Sequence, residues 1–103
     1  MKPAVLWTPQ AREDFLDIYL TIGLDNPGAA ERFYSAIAAR TKRLASLPRI
    51  GPRRPEIRPQ VRVLVERPYL ILYETHPDRD EGRLGSVEVV RIIDGRRNLK
   101  NLP

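Results

Sequence analysis

The chain has no cysteine, one histidine and one tryptophan among its 103 residues. Without cysteine it has no disulfide framework and no thiolate metal site, and it suits a reducing compartment. No stretch reaches the roughly 18 apolar residues of a membrane span, and the apolar start at residues 1–7 is too short for a signal peptide. We therefore expect a cytoplasmic protein without membrane association. Its length predicts one domain over residues 1–103 with a core of modest size.

The chain also lacks the residue constellations that usually carry catalysis. It has no Gly-x-Ser-x-Gly motif and no glycine loop for phosphate. Its only imidazole, His76, stands at a strand end before Pro77, where a solvated or turn-stabilising role is the simplest interpretation. The acidic residues Asp78, Asp80 and Glu81 lack the ligand spacing of a calcium loop and fit a solvated hairpin tip. The sequence thus predicts no catalytic residue, no metal site and no cofactor.

What the chain does have is arginine, and it is unevenly distributed. The net charge is +5, and residues 49–67 alone carry six arginines against two glutamates. Residues 68–90 carry an excess of three negative charges, whereas the tail from residue 91 onward is basic again. Basic charge gathered in two segments favours an acidic partner, either a nucleic acid or an acidic protein segment.

Caps and apolar spacing predict a strand followed by a helical hairpin. Residues 2–7 are typical of a short strand. Thr8-Pro9 and Asn26-Pro27 each combine a capping side chain with a proline at the first helical position. Apolar residues at helical spacing follow both signals, which predicts a first helix that stops near Gly23 and a second that is closed by Pro48. The short connection makes the two helices antiparallel neighbours.

The second half of the chain predicts an irregular connector and three strands. Residues 48–59 hold four prolines. Strands follow at 61–66 and 69–75, with a bend at Arg67-Pro68, and a final strand follows a polar loop at residues 77–85. The β-branched last strand is expected at the centre of the sheet. The predicted fold is α+β, in the order β-α-α-β-β-β, with an antiparallel sheet and the helical hairpin packed on one face. Arg91 should project from the sheet face opposite the core, because a guanidinium is rarely buried without a partner.

Four short motifs follow each other along nearly the whole chain. They are Thr8-Pro9, Leu47-Pro48-Arg49-Ile50-Gly51, Arg67-Pro68-Tyr69 and Ile93-Asp94-Gly95-Arg96-Arg97. With the order of elements, they resemble the RelE/ParE superfamily of bacterial toxins, and most closely its ParE-like branch. One departure is Asp94, since histidine is common at that position in the family. The resemblance implies the toxin of a type II toxin-antitoxin module, which inhibits DNA gyrase and is neutralised by a ParD-like antitoxin.

The resemblance and the charge pattern together suggest candidate binding residues. An acidic antitoxin segment is expected to lay a helix on the helical hairpin and to pair with a sheet edge, held by arginines. The candidates for antitoxin binding are Leu16, Leu20, Arg40, Arg53, Arg54 and Arg58. The candidates for toxicity or target binding are Arg62, Arg91, Arg96 and Arg97. Alternatively, the two leucines simply close the core edge. The tail from Arg96 is expected to lie over the sheet edge near Arg91.

Two other functions are open at this point. A RelE-like, ribosome-dependent mRNA endonuclease needs a proton acceptor besides cations that stabilise the phosphate. Arg62, Arg91 and Arg96 fit the second need, but no tyrosine follows Tyr73 and arginine is essentially never deprotonated. A non-toxic, basic nucleic-acid-binding module needs aromatic side chains for base stacking, and only Tyr69 and Tyr73 are available on the strands. We therefore do not predict an enzyme.

Overall fold

The computed structural model describes residues 2–96, and its elements follow the predicted order β-α-α-β-β-β. They are β1 (Ala4–Trp7), α1 (Pro9–Asp25), α2 (Pro27–Arg43), β2 (Arg62–Glu66), β3 (Tyr69–His76) and β4 (Ser86–Asp94). The helical hairpin packs against one face of a four-stranded sheet, which confirms the predicted fold class. The predictions for Arg97 and the tail after it lie outside the described residues. Between residues 2 and 96, no helix is long and apolar enough to cross a membrane.

Both helices begin at the predicted caps. The side chains of Thr8 and Asn26 each accept a hydrogen bond from the backbone N–H three residues further on, at 3.1 and 3.0 Å. Asn26 also ends α1, because its own N–H donates to the carbonyl of Ile22 at 2.9 Å. α1 therefore runs through Gly23 to Asp25, slightly beyond the predicted end. A single residue joins the helices, so the hairpin is tight.

The strand order is β1-β4-β3-β2, with β4 in the interior of the sheet as predicted. β2, β3 and β4 are antiparallel to one another, whereas β1 runs parallel to β4, with Val5 opposite Val87 and Trp7 opposite Val89. The sheet is therefore mixed rather than wholly antiparallel. The reason is topological: a tight turn forces successive strands to be antiparallel, but β1 reaches β4 from the far end of the chain and no turn fixes its direction.

Both faces of the sheet carry apolar side chains. The helix-covered face holds the main core, which includes Phe33 and Ile37 from α2 and Ile71 and Tyr73 from β3. A second cluster lies on the other face, since its strand residues alternate with those of the first. Its members are Val61, Val63, Leu72, Val90 and Ile93, with Ile57 and Leu70 packed against them. Part of the connector thus covers the face that the helices leave open.

Candidate functional site

α1 runs along the part of β4 that β1 leaves unpaired. β1 pairs only with residues 86–89 of β4. Beyond them, Thr8 Oγ1 donates to the carbonyl of Val90 at 3.1 Å, and the N–H of Ile92 donates to Asp14 Oδ2 at 3.0 Å. Side chains at the start of α1 therefore form hydrogen bonds with backbone groups at the edge of β4 that a neighbouring strand would pair with in a longer sheet. A groove of about 350 Å³ lies between α1 and this part of β4.

Arg91 lines the groove and is bound to α1. Its Nε donates to Asp14 Oδ2 at 2.7 Å and its Nη2 donates to Asp14 Oδ1 at 3.2 Å. The two side chains are only 14% and 10% exposed. In the register of β3 and β4, Arg91 stands opposite Leu72, a member of the second cluster, so the strand places it on the face opposite the main core, as expected. A carboxylate on α1 supplies the partner that its burial requires. Its Nη1 is buried and has no hydrogen-bond partner within residues 2–96.

Arg96 stands at the end of the same groove and is held by Asp94. Its Nε donates to Asp94 Oδ1 at 2.9 Å and its Nη2 donates to Oδ2 at 2.6 Å. These hydrogen bonds raise the pKa of the exposed Arg96 guanidinium above its ordinary value. Asp94, which departs from the family pattern, thus fixes the position of a candidate toxicity residue.

The charges of the groove do not sum to a basic surface. Its lining includes the two guanidiniums of Arg91 and Arg96 and three carboxylates, those of Asp14, Asp17 and Asp94. The balance over these described residues is one negative charge. Tyr69 also lines the groove, and its ring packs edge-on against Phe33 with the centroids 4.9 Å apart.

Arg62 lies outside the groove, in a cluster that we call the loop clamp: Arg53, Arg62, Asp78 and Asp80. Arg62 is 6% exposed, and its Nη2 donates to Asp80 Oδ1 at 2.9 Å. Arg53 donates from Nε to Asp80 Oδ1 and from Nη1 to Asp78 Oδ1, both at 2.8 Å. Asp80 remains 73% exposed, which fits the predicted solvated tip, whereas Asp78 is only 25% exposed; Arg53 of the connector binds both aspartates. Hydrogen bonds from Arg53 lower the pKa of Asp80 and raise that of Arg53 itself.

Further contacts join the connector to the sheet and the loop. Arg49 donates to the carbonyls of Arg79 and Gly82 at 2.9 and 2.8 Å. The N–H of Gly51 donates to the hydroxyl of Tyr73 at 2.9 Å. Tyr73 is fully buried, and burial raises its pKa. Its ring is therefore not available for stacking on a base.

The other arginine candidates have separate surroundings. Arg54 pairs with Glu56. Arg40 donates from Nη2 to the carbonyl of Val65 at 2.7 Å and from Nε to Glu66 at 3.3 Å, which fastens α2 to β2. No acidic side chain in residues 2–96 forms an ion pair with Arg58, which is partly exposed. Arg58 is therefore the connector candidate without an acidic partner in the described part of the chain.

An exposed line of leucines runs along α1. Leu16 and Leu20 are 54% and 55% exposed, so they do not close the core. Leu24 continues the line at 87% exposure, because a spacing of four residues places side chains on one helix face. Sequence reasoning missed Leu24, although the same spacing would have found it. It also missed Asp14, for which no local signal exists, since its partner Arg91 lies 77 residues away.

Comparison with known proteins first defines the class. A solved chain from the chromosomal ParDE TA system of P. aeruginosa superimposes with a TM-score of 0.70 at 26% sequence identity, covering 90% of this chain and 96% of that one. A family model described as ParE toxin of type II toxin-antitoxin system, parDE, matches residues 5–99. The chain therefore belongs to the ParE toxin family and is a type II toxin of the ParE type. Comparison with curated proteins found no match.

Proposed function

We propose that this toxin arrests growth by inhibiting DNA gyrase and that a ParD-like antitoxin neutralises it. The family match over residues 5–99 supports this function. The observation that favours a protein target over RNA is the charge of the groove, where, among the lining residues of the described part of the chain, three carboxylates outnumber two guanidiniums. A surface that neutralises a phosphate backbone needs an excess of cations. A groove with the opposite balance suits a protein surface better.

The connector gives little support to a plain nucleic-acid-binding module. Such a module relies on free arginines and on accessible aromatic rings. Arg53 and Arg62 are occupied by the loop clamp, and Arg54 is paired with Glu56. Tyr73 is buried. Three of the six arginines at residues 49–67, namely Arg53, Arg54 and Arg62, thus form ion pairs within the chain.

For the antitoxin we propose a helix that lies on the leucine line of α1. Leu16, Leu20 and Leu24 offer an apolar strip with a four-residue period, which matches the apolar face of an amphipathic helix. A second, acidic segment of the antitoxin would be needed to reach Arg58, because the connector covers the sheet face opposite the helices. The solved relative belongs to a ParDE system, and this supports a ParD-like partner as the occupant of the strip.

RNA cleavage is the second candidate, and Tyr69 is the observation that favours it. Its side chain lines the groove that Arg91 and Arg96 also line, so a phenol and two cations share one wall. Both guanidiniums are already bound to carboxylates, however. A scissile phosphate would have to displace Asp14 or Asp94 to use them.

Expression of the wild type, Tyr69→Phe and Arg96→Glu in bacteria separates the two functions. We expect growth arrest with relaxed plasmid DNA, and no codon-specific cuts in translated messages by primer extension. Tyr69→Phe should remain toxic, whereas Arg96→Glu should lose toxicity. Cuts within codons that disappear in Tyr69→Phe would contradict gyrase inhibition and establish RNA cleavage.

The antitoxin proposal has its own test, in which the partner is a ParD-like antitoxin that neutralises this toxin on co-expression. Leu20→Asp should weaken binding by about tenfold or more in calorimetry, because a charge replaces an apolar contact. Ser35→Asp, an exposed position on α2, is the matched control and should bind like the wild type. Equal affinity for both variants would exclude the leucine line from the interface.

A further inference from the structure

Three metal-ligating side chains meet on the sheet face that the helices do not cover. Glu74 and Glu88 stand directly opposite each other on β3 and β4. His76 follows two residues after Glu74, so it lies on the same face. Tyr73, Thr75, Val87 and Val89, which alternate with these residues, are buried. One ligand atom from each of the three residues lies within 4.8 Å of the other two, and His76 Nε2 is 3.3 Å from Glu88 Oε1.

The charge of this cluster points to a cation. Two carboxylates directly opposite each other in a sheet repel and destabilise the pair. No lysine or arginine within residues 2–96 forms an ion pair with Glu74 or Glu88, although the chain has eighteen basic residues. Two acidic residues of the adjoining loop, Asp78 and Asp80, are by contrast bound by arginines. A local deficit of positive charge thus remains on a basic protein.

We propose that Glu74, His76 and Glu88 form a binding site for a divalent transition-metal ion of the Zn²⁺ type. One imidazole nitrogen and two carboxylate oxygens suit Zn²⁺ better than Mg²⁺ or Ca²⁺, which prefer oxygen ligands alone. Bond lengths of about 2.0–2.2 Å in a tetrahedral site separate the ligand atoms by roughly 3.4 Å. The contact between His76 and Glu88 already has that separation, and a carboxylate oxygen of Glu74 lies within 4.8 Å of both ligand atoms.

The site would join two strands at the base of a loop. His76 ends β3 and Ser86 begins β4, and the two residues are paired across the loop between them. The loop clamp holds the middle of this loop, and a metal ion would hold its base. Since the ligands come together only in the folded sheet, binding would be coupled to folding and would stabilise the native state by mass action.

Titration of the untagged full chain with ZnCl₂ tests the site, with MgCl₂ as the comparison. We expect one equivalent of Zn²⁺ to bind in calorimetry and to raise the melting temperature, and Mg²⁺ to have no such effect. His76→Ala, Glu74→Gln and Glu88→Gln should each lower the Zn²⁺ affinity by at least about tenfold, since even outer partners of metal ligands contribute that much. Glu81→Gln removes one exposed carboxylate outside the cluster and should bind like the wild type.

The variants also report on folding without metal. Glu74→Gln removes the repulsion between the facing carboxylates, so its melting temperature in the presence of a chelator should equal or exceed that of the wild type. Absence of binding at millimolar Zn²⁺, or binding that His76→Ala leaves unchanged, would overturn the proposal. An equal response to Mg²⁺ would overturn the assignment of the metal class. Toxicity is not a readout here, so the outcome is independent of the gyrase proposal.

Discussion

Asp14 and Arg91 form a two-point ion pair although they lie 77 residues apart in the chain. Asp14 accepts a third hydrogen bond from the backbone N–H of Ile92. The Asp14 carboxylate thus holds α1 against β4 and accepts a hydrogen bond from a backbone N–H at the unpaired edge of that strand. It also positions Arg91, which lines the groove. The pair therefore links the stability of the fold to the geometry of the candidate site.

Asp14→Ala should lower the free energy of unfolding by about 3 kcal/mol, because it leaves a largely buried guanidinium without its counter-ion. The double variant Asp14→Ala with Arg91→Met should recover part of the loss, since neither charge is then left unpaired. Urea denaturation measures both. Asp17→Ala, an exposed position on the same helix, is the control and should change stability by less than about 0.5 kcal/mol. Equal losses for the two single variants would show that the ion pair does not stabilise the fold.

Gly51→Ala should destabilise the protein by about 1–3 kcal/mol through overpacking. A Cβ at this position would lie 2.7 Å from the carbonyl oxygen of Val63 and 2.9 Å from the ring and hydroxyl of Tyr73. At Gly85 the nearest atom is 3.6 Å away, an ordinary contact, so Gly85→Ala is the matched control. Thermal melting of the two variants distinguishes close packing from a general effect of replacing glycine. A tolerated alanine at position 51 would contradict the close approach of connector and sheet.

The loop clamp predicts a dependence of stability on acid. Hydrogen bonds from Arg53 lower the pKa of Asp80 in the folded state. The ionised Asp80 therefore contributes its full stabilisation of the fold above its pKa in the unfolded chain, about 4. This stabilisation is lost as the pH falls through its lower pKa in the folded state. The melting temperature of Asp80→Asn should therefore lie below that of the wild type at pH 7, and the gap should narrow below about pH 4. For the control Glu81→Gln, the difference in melting temperature from the wild type should not change in this way with pH. A gap that stays constant down to pH 2.5 would mean that the charge of Asp80 is not what stabilises the loop.

Some arginine candidates of the connector are paired with acidic side chains and Arg58 is not. Charge reversal should affect stability at a paired arginine and antitoxin binding at Arg58. Arg53→Glu should reduce stability, because it places a third acidic group in the loop clamp. Arg58→Glu should leave the melting temperature unchanged and weaken antitoxin binding, because like charges replace opposite ones. Calorimetry with the antitoxin, together with melting curves, measures both effects. Unchanged affinity for Arg58→Glu would remove the connector from the interface.

Local signals in the sequence were enough to predict most of the fold. Thr8 and Asn26 act as caps as expected, and the β-branched run of β4 lies in the interior of the sheet. The parallel pairing of β1 was not predictable in this way, because no turn connects it to β4. The direction of a strand is a local property only in a hairpin.

The candidate site was harder to predict, because its partners are distant in the chain. Arg91 was singled out by its position in an apolar strand, but its counter-ion Asp14 lies on the first helix. The connector looked like a free basic segment, yet Asp78 and Asp80 bind Arg53 of the connector and Arg62 of β2. The facing pair of Glu74 and Glu88 likewise depends on strand register. Long-range pairing, rather than residue type, decides which charges are available to a partner.

The central claim is that this ParE-family toxin acts on gyrase through the groove between α1 and β4. Its most direct test is inhibition of supercoiling by purified gyrase, measured with the wild type, Arg96→Glu and the exposed control Arg83→Glu. We predict inhibition by the wild type and by Arg83→Glu, and a half-inhibitory concentration about tenfold higher for Arg96→Glu, since a charge at an interface is reversed. Undiminished supercoiling at saturating wild-type toxin would contradict the proposed target, and equal inhibition by all three proteins would contradict the role of the groove.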